Sequence, residues 1–368
     1  MDKHKLLMKK IDMLHINDYI NELYDHPELR SLFLEVTSRC NARCEHCGSS
    51  CGEKKVNDEI EGKYIKQTLK EIANKYNASD VFLNVTGGEP LLRKDLFEIM
   101  DYATSLGYHW GITTNGMLIN EEMANKLKKS KLDTISISID GLKETHESFR
   151  KVPGSFDKII NGIKLLQKNK HIQTIQITTV ANKKNFHELE DIYKLMQELK
   201  IKDWRVINCE PIGRAKENDD ILLDKEQMIK LFNFIIEKNN EGKMKVGYGC
   251  THYLGDKYEK EVRACYFMCT TGLTVASILS NGDIFPCPNV ERRKEFIQGN
   301  IRQDSFVDVW ENKFELFRHK RLTQNDKCRK CSEYKFCRGD SFHTWDFDNN
   351  KPKFCVKNLL EGDEKLWY

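Results

Sequence analysis

Six short runs of β-branched and apolar residues recur along the first two-thirds of the chain, each closed by turn residues. They are 32–37 (LFLEVT), 81–88 (VFLNVTGG), 108–116 (YHWGITTNG), 134–141 (TISISIDG), 172–180 (IQTIQITTV) and 203–208 (DWRVIN). Between them the apolar period becomes helical. In 186–199, Phe186, Leu189, Ile192, Leu195, Met196 and Leu199 share one face, and 93–106 and 120–129 behave alike. Strand–helix alternation repeated about six times predicts parallel βα units, arranged as a barrel, a partial barrel or an open doubly wound sheet. Residues 1–31 read as a helical segment. After about residue 240 glycines, cysteines and short segments replace the rhythm. The expected organisation is therefore 1–31 helical, 32–240 a βα core and 241–368 a separate cysteine-rich module.

Composition narrows the function classes. Hydrophobic residues make up 39% and aromatics 10%, enough for a packed core, while 31% charged residues of mixed sign leave a net charge of only +3. That balance, without a long basic run, argues against a nucleic-acid partner. No run approaches the ~18 apolar residues of a membrane span. Charges interrupt the N-terminal MDKHKLLMKKIDML, so it lacks the core of a secretory signal. A cytoplasmic protein with no membrane partner is expected. Thirteen cysteines are many for that compartment: four lie in 40–51, one at 209 and eight in 250–355. Clustered thiols in a reducing compartment point to metal rather than disulfides.

The first cluster reads Cys40-Asn-Ala-Arg-Cys44-Glu-His-Cys47. Three thiolates at this spacing can hold three irons of a cubane and leave the fourth iron without a protein ligand. A zinc site using His46 or Cys51 is the alternative, but zinc favours CxxC pairs. The triplet directly follows the first strand, at the carboxyl end where barrel active sites form. The second strand ends in Gly87-Gly88-Glu89-Pro90, the third in Thr113-Thr114-Asn115-Gly116 and the fourth in Ser138-Ile139-Asp140-Gly141, with Arg150 shortly after. Asn115 and Asp140 suit turn capping equally well. Farther on, Cys269, Gly282 and Cys287 form Cx12Gx4C, and Cys328, Cys331 and Cys337 form CxxCx5C before Cys355. Alone, this second array reads equally as a zinc ribbon.

Together these motifs resemble the radical S-adenosylmethionine superfamily, in its subgroup with a SPASM extension. The resemblance implies a partial (β/α)6 barrel with a C-terminal auxiliary-cluster domain. It implies a [4Fe–4S] cluster on Cys40, Cys44 and Cys47 whose open iron binds S-adenosylmethionine, which is cleaved to a 5′-deoxyadenosyl radical. His46 would lie near adenine, and the Gly87–Pro90 motif would contact the methionyl amino group, with Glu89 accepting from the ammonium. Asn115, Ser138 and Asp140 would line the cofactor, Arg150 would lie near its carboxylate or ribose, and Val180 would pass the adenine edge. One or two auxiliary [4Fe–4S] clusters follow. Cys328, Cys331, Cys337 and Cys355 would hold the distal one; Cys269 and Cys287, with Cys265, would contribute to the proximal one. The family's last array cysteine falls on Ser341. Cys250, an oxygen or nitrogen from Asp340, Ser341 or His343, or an open iron remain to complete the proximal site, or the cluster is absent. Cys51 and Cys209 read as ordinary small residues.

The implied activity is hydrogen abstraction from a peptide or protein side chain, fed by an external flavodoxin- or ferredoxin-type donor. The product would be a thioether or carbon–carbon crosslink, an oxidation or an epimerisation. The alternatives are a sulfatase-maturing enzyme that forms formylglycine, and a non-catalytic metal-binding scaffold. Tyr248, His252, Tyr253 and Asp340 neighbour the expected clusters in sequence, and none is singled out as an acid or base.

Overall fold

The computed structural model describes residues 3–52, 59–249, 251–318, 326–353 and 355–356. Each of the six apolar runs forms a strand: β1 (Ser31–Glu35), β2 (Phe82–Thr86), β3 (Trp110–Thr114), β4 (Thr134–Ser138), β5 (Thr174–Ala181) and β6 (Asp203–Asn208). All six are parallel and lie side by side in sequence order. The strands mostly end before the expected runs do, because glycine and polar residues at the carboxyl ends turn the chain out of the sheet.

The α-helices described before residue 241 are α1 (Lys3–Asp25), α2 (Gly62–Lys75), α3 (Leu96–Ser105), α4 (Glu121–Lys129), α5 (Lys143–Arg150), α6 (Ser155–Leu166), α7 (Leu189–Glu198) and α8 (Lys225–Asn240). α2, α3, α4, α6, α7 and α8 bury one apolar stripe each, such as Leu189, Ile192 and Met196 on α7. Local chemistry sets their starts. Asp224 caps α8 by accepting from Gln227 N at 2.8 Å, while the Gln227 side chain accepts from Asp224 N at 3.1 Å. No described helix is long and apolar enough to cross a membrane.

The sheet continues past residue 240. β7 (Lys245–Tyr248) pairs parallel with β6, and β8 (Val275–Ile278) pairs parallel with β1. β9 (Asp283–Phe285) and β10 (Gly299–Asn300) extend that second edge antiparallel. The order is β10-β9-β8-β1-β2-β3-β4-β5-β6-β7. This is an α/β fold with a parallel sheet of the partial-barrel type, flanked at both edges by strands from the cysteine-rich region. One hydrophobic core runs through both parts, from Trp110 and Trp204 to Trp310, all fully buried. The cysteine-rich region is therefore anchored against β1, the strand that launches the first cysteine loop.

Candidate active site

The carboxyl ends of β1 to β6 open on one cavity of about 720 Å³. Cys40, Cys44 and Cys47 line it together with His46, Gly87, Gly88, Asn115, Ser138, Arg150 and Val180. Cys51 and Cys209 also border it.

The turn after β2 fixes the cysteine loop. Gly88 N donates to Thr37 O at 2.7 Å and Glu89 N donates to Arg39 O at 2.8 Å. The backbones approach so closely that a Cβ on Gly87 would lie 2.4 Å from Thr37 O, and one on Gly88 2.2 Å from Arg39 O. Only glycine fits. Gly88→Ala is expected to push the cysteine loop outward, so that anaerobically reconstituted protein loses iron from this site. Wild-type iron content in that variant would refute the role.

Arg93, with its side chain only 2% exposed, donates to Val36 O at 2.7 Å and Ile60 O at 2.8 Å. It ties down both flanks of the loop. From beyond β6, Arg214 donates through Nε to Cys44 O at 2.7 Å and through Nη1 to Cys51 O at 3.2 Å. Asn115 Nδ2 donates to Asn41 Oδ1 at 2.7 Å, joining the loop to β3.

Three expected contact residues stand behind the cavity wall. Glu89, Pro90 and Asp140 do not line it. Glu89 is fully buried, and its carboxylate accepts from Thr114 Oγ1 at 2.7 Å, Asn115 N at 2.8 Å and Leu91 N at 3.1 Å. Three protein donors reach it behind the cavity wall, and it joins the ends of β2 and β3. Asp140 Oδ2 pairs with Arg150, 2.6 Å from Nη2 and 2.8 Å from Nε, while Oδ1 accepts from Val180 N at 2.8 Å. Burial alone would raise the Asp140 carboxyl, but Arg150 and then His46 override it and hold it low. Asp140 thus orients two cavity residues without facing the cavity.

The thiols differ. Burial pushes Cys40 up to about 11 and also raises Cys44. The neighbouring Cys51 thiol and Arg214 pull Cys47 down. His46 stacks on Phe149 with ring centroids 4.7 Å apart, and burial lowers it to about 4. Its Nδ1 is buried without a hydrogen-bond partner among the described residues. Among the described residues, no three His, Cys, Asp or Glu side chains converge as ligands of a single metal ion. The donor set and the glycine-lined wall fit an iron–sulfur cluster with a small-molecule ligand beside it.

A polar wall built after β6 and from the C-terminal region completes the cavity. Glu210 and His343 line it, with His343 Nε2 3.0 Å from Glu210 Oε2. Behind them His252 is fully buried between two carboxylates, 2.9 Å from Glu210 and 3.0 Å from Asp340. Burial works against its charge, but Asp340 and Glu210 raise it to about 9. An unfolded histidine titrates near 6.5. The stability from this imidazolium is therefore fully present below about pH 6.5 and is lost as pH rises through about 9, an effect on the order of 2–3 kcal/mol. Anaerobic melting between pH 6 and 10 should show this alkaline decline in the wild type and a flatter curve in His252→Gln; equal slopes would refute it.

The remaining cysteines divide. Cys328 and Cys331 interact electrostatically, as do Cys337 and Cys355. Cys269 and Cys287 pack against the main core, Cys265 is exposed, and Cys250 lies outside the described residues. Ser341 Oγ lies 2.9 Å from Thr344 Oγ1 and 3.3 Å from His343 Nε2. Asp340 is engaged by His252 and by Tyr253 N at 3.0 Å. Both oxygens proposed as proximal ligands thus have other partners. Sequence reasoning missed Arg93, Arg214 and Glu210. A signal existed for the last two: Glu210-Pro-Ile-Gly-Arg214 leaves β6 at the end of the sheet where barrel sites form.

Comparisons agree with this geometry. The family model of the Radical SAM superfamily matches residues 34–196, and that of the SPASM iron-sulfur cluster-binding domain matches 269–332. The AdoMet-dependent heme synthase of Methanosarcina barkeri is 31% identical over 328 residues, covering 84% of this chain and 90% of its own. The mycofactocin maturase MftC of Mycolicibacterium smegmatis is 30% identical over 311 residues, covering 83% and 76%. Among solved structures, native anSMEcpe with bound AdoMet and Cp18Cys peptide has a TM-score of 0.73 at 22% identity, covering 91% and 95%. SuiB of Streptococcus suis bound to S-adenosylmethionine has a TM-score of 0.70 at 22% identity, covering 85% and 73%.

Proposed function

This chain belongs to the radical S-adenosylmethionine superfamily and carries its SPASM domain, and from that premise we propose that it modifies a side chain of a peptide or protein. The supporting observation is the extent of the cavity. It begins at Cys40, Cys44 and Cys47 and continues to Pro288–Arg292, His343 and Lys353 of the C-terminal region. A segment of chain can lie along such a cleft with one side chain presented to the cysteine loop.

When bound, the cluster and S-adenosylmethionine supply reductive cleavage to a 5′-deoxyadenosyl radical. The chain's own residues position and shield. Gly87 and Gly88 let the cysteine loop pack against the end of β2, and Arg150 offers a cation held rigid by Asp140. His46, stacked on Phe149 and held neutral by burial, offers a flat face beside the third cysteine. Val180, Ile207 and Ile212 give the wall apolar surface.

A second reading has its own support. The 31% identity to an AdoMet-dependent heme synthase over most of both chains favours an iron-tetrapyrrole substrate. One experiment separates the two. Reconstituted enzyme, S-adenosylmethionine and dithionite are incubated with a panel of short Cys-, Tyr- or Trp-containing peptides, or with iron-tetrapyrroles bearing carboxylate side chains. The peptide reading expects a peptide to stimulate 5′-deoxyadenosine formation and to change mass. Stimulation by the tetrapyrrole alone would overturn it.

A further inference from the structure

Away from the cavity, one short stretch of the C-terminal region concentrates positive charge. Residues 326–338 carry five cations, Lys327, Arg329, Lys330, Lys335 and Arg338, against two carboxylates, Asp326 and Glu333. Their net charge of +3 equals that of the whole chain, so all the other residues together come out neutral. The same stretch holds Cys328, Cys331 and Cys337, each part-exposed, as is Cys355.

Local structure leaves these cations in water. Two short helical segments, Asp326–Lys330 and Tyr334–Cys337, frame the cysteines. Arg329, Lys330 and Lys335 are exposed, and neither lysine has an ion-pair partner among the described residues. Glu333, the carboxylate between them, is engaged elsewhere and accepts from Tyr253 Oη at 2.5 Å. Arg338 is held by α1, donating to Asn17 Oδ1 and, at 3.1 Å, to Asn21 Oδ1. The first cysteine loop differs. Its flanking lysines, Lys151 and Lys184, lie 2.6 and 2.7 Å from the two oxygens of Glu45, and Arg39 lies 3.2 Å from Glu59. An acidic partner protein is therefore drawn to the 326–338 face rather than to the loop.

We propose that the exposed face of residues 326–338 is the docking surface for a small acidic protein that carries one electron, of the flavodoxin or ferredoxin type. The inference rests on the radical-enzyme reading, in which each reductive cleavage of S-adenosylmethionine consumes one electron from outside the chain. In each encounter the carrier is oxidised by one electron and an iron–sulfur site of the enzyme is reduced by one; no covalent bond joins the two proteins. Lys330 and Lys335 steer and orient the carrier and take no part in the chemistry. Electron-transfer encounters bury less than about 1,200 Å² and depend on matched charge more than on apolar contact. Three exposed cations around part-exposed cysteines suit that kind of contact.

The test is a binding titration of an acidic flavodoxin against anaerobically reconstituted full-length protein, read by calorimetry. Wild-type binding is expected to weaken about tenfold between about 50 mM and about 200 mM salt, a comparison that requires no variant to fold. At low salt the double variant Lys330→Glu, Lys335→Glu should bind about tenfold more weakly or worse. Lys330→Arg, Lys335→Arg keeps the charge and should bind as the wild type does. So should Lys128→Glu, Lys129→Glu, which makes the same charge change at exposed positions of α4. Absent or salt-independent flavodoxin binding, or an equal loss in the α4 variant, overturns the docking surface. A short single-stranded RNA that binds this face more tightly than flavodoxin also overturns it, in favour of a nucleic-acid partner. With dithionite in place of the carrier, the charge-reversed variant should form 5′-deoxyadenosine at the wild-type rate; a loss there would place the damage in the enzyme itself and overturn the docking role. The radical-enzyme reading fails separately, on absent 5′-deoxyadenosine from the wild type with dithionite, which the titration does not involve.

Discussion

Replacing Cys40, Cys44 and Cys47 together by alanine is expected to remove about four irons per chain and to reduce 5′-deoxyadenosine formation to background. The three thiols line one cavity. Cys51 also borders the cavity, but its carbonyl is held by Arg43 and Arg214. Cys51→Ala should therefore retain the cluster iron. Iron bound at Cys328, Cys331, Cys337 and Cys355, as proposed for them, should survive the triple substitution, because none of the four lines that cavity. Anaerobic reconstitution with iron analysis, followed by chromatography of the reduced reaction, reads all three outcomes. Stoichiometric zinc and no iron in the wild type would return the chain to the scaffold reading.

How much of this could be read from sequence depends on how local each feature is. The six parallel strands were legible because each is a β-branched run closed by turn residues, and α7 because Leu189, Ile192 and Met196 recur at helical spacing. The attachment of β8 beside β1 was not. Its four residues, Val275–Ile278, pair with a strand near the other end of the chain, and no periodicity encodes such a partner. The site divides in the same way. Cys40, Cys44 and Cys47 lie within eight residues and announce themselves by spacing. Glu210 and His343 are single polar residues in separate loops, and only the fold brings them to 3.0 Å. Glu89 shows the converse. Its motif was legible, but the tie from its buried carboxylate to Thr114 and Asn115 at the end of β3 was not, because those donors come from another strand.

Asp140→Ala is expected to cost about 3–5 kcal/mol and lower the melting temperature by roughly 5 °C. Asp140 is fully buried and the Arg150 side chain is 8% exposed, so the substitution strands a guanidinium in the interior. It also frees Val180 N, which loses its carboxylate acceptor. The damage should spread to the cysteine loop, because Arg43 N donates to Arg150 O at 3.3 Å and Glu45 N to Phe149 O at 3.1 Å. Cluster iron should fall along with stability. The double variant Asp140→Asn, Arg150→Met removes both charges and keeps most of the volume. It should be more stable than Asp140→Ala, since a buried pair replaced whole costs less than one broken. The pH dependence has the opposite sign to that of His252. Asp140 is held below its usual range, so its contribution is present above about pH 4 and disappears as pH falls below that. Acid melting curves of wild type and double variant should converge below about pH 4. Parallel curves, or a double variant less stable than the single, would mean that the pair contributes nothing beyond its packing.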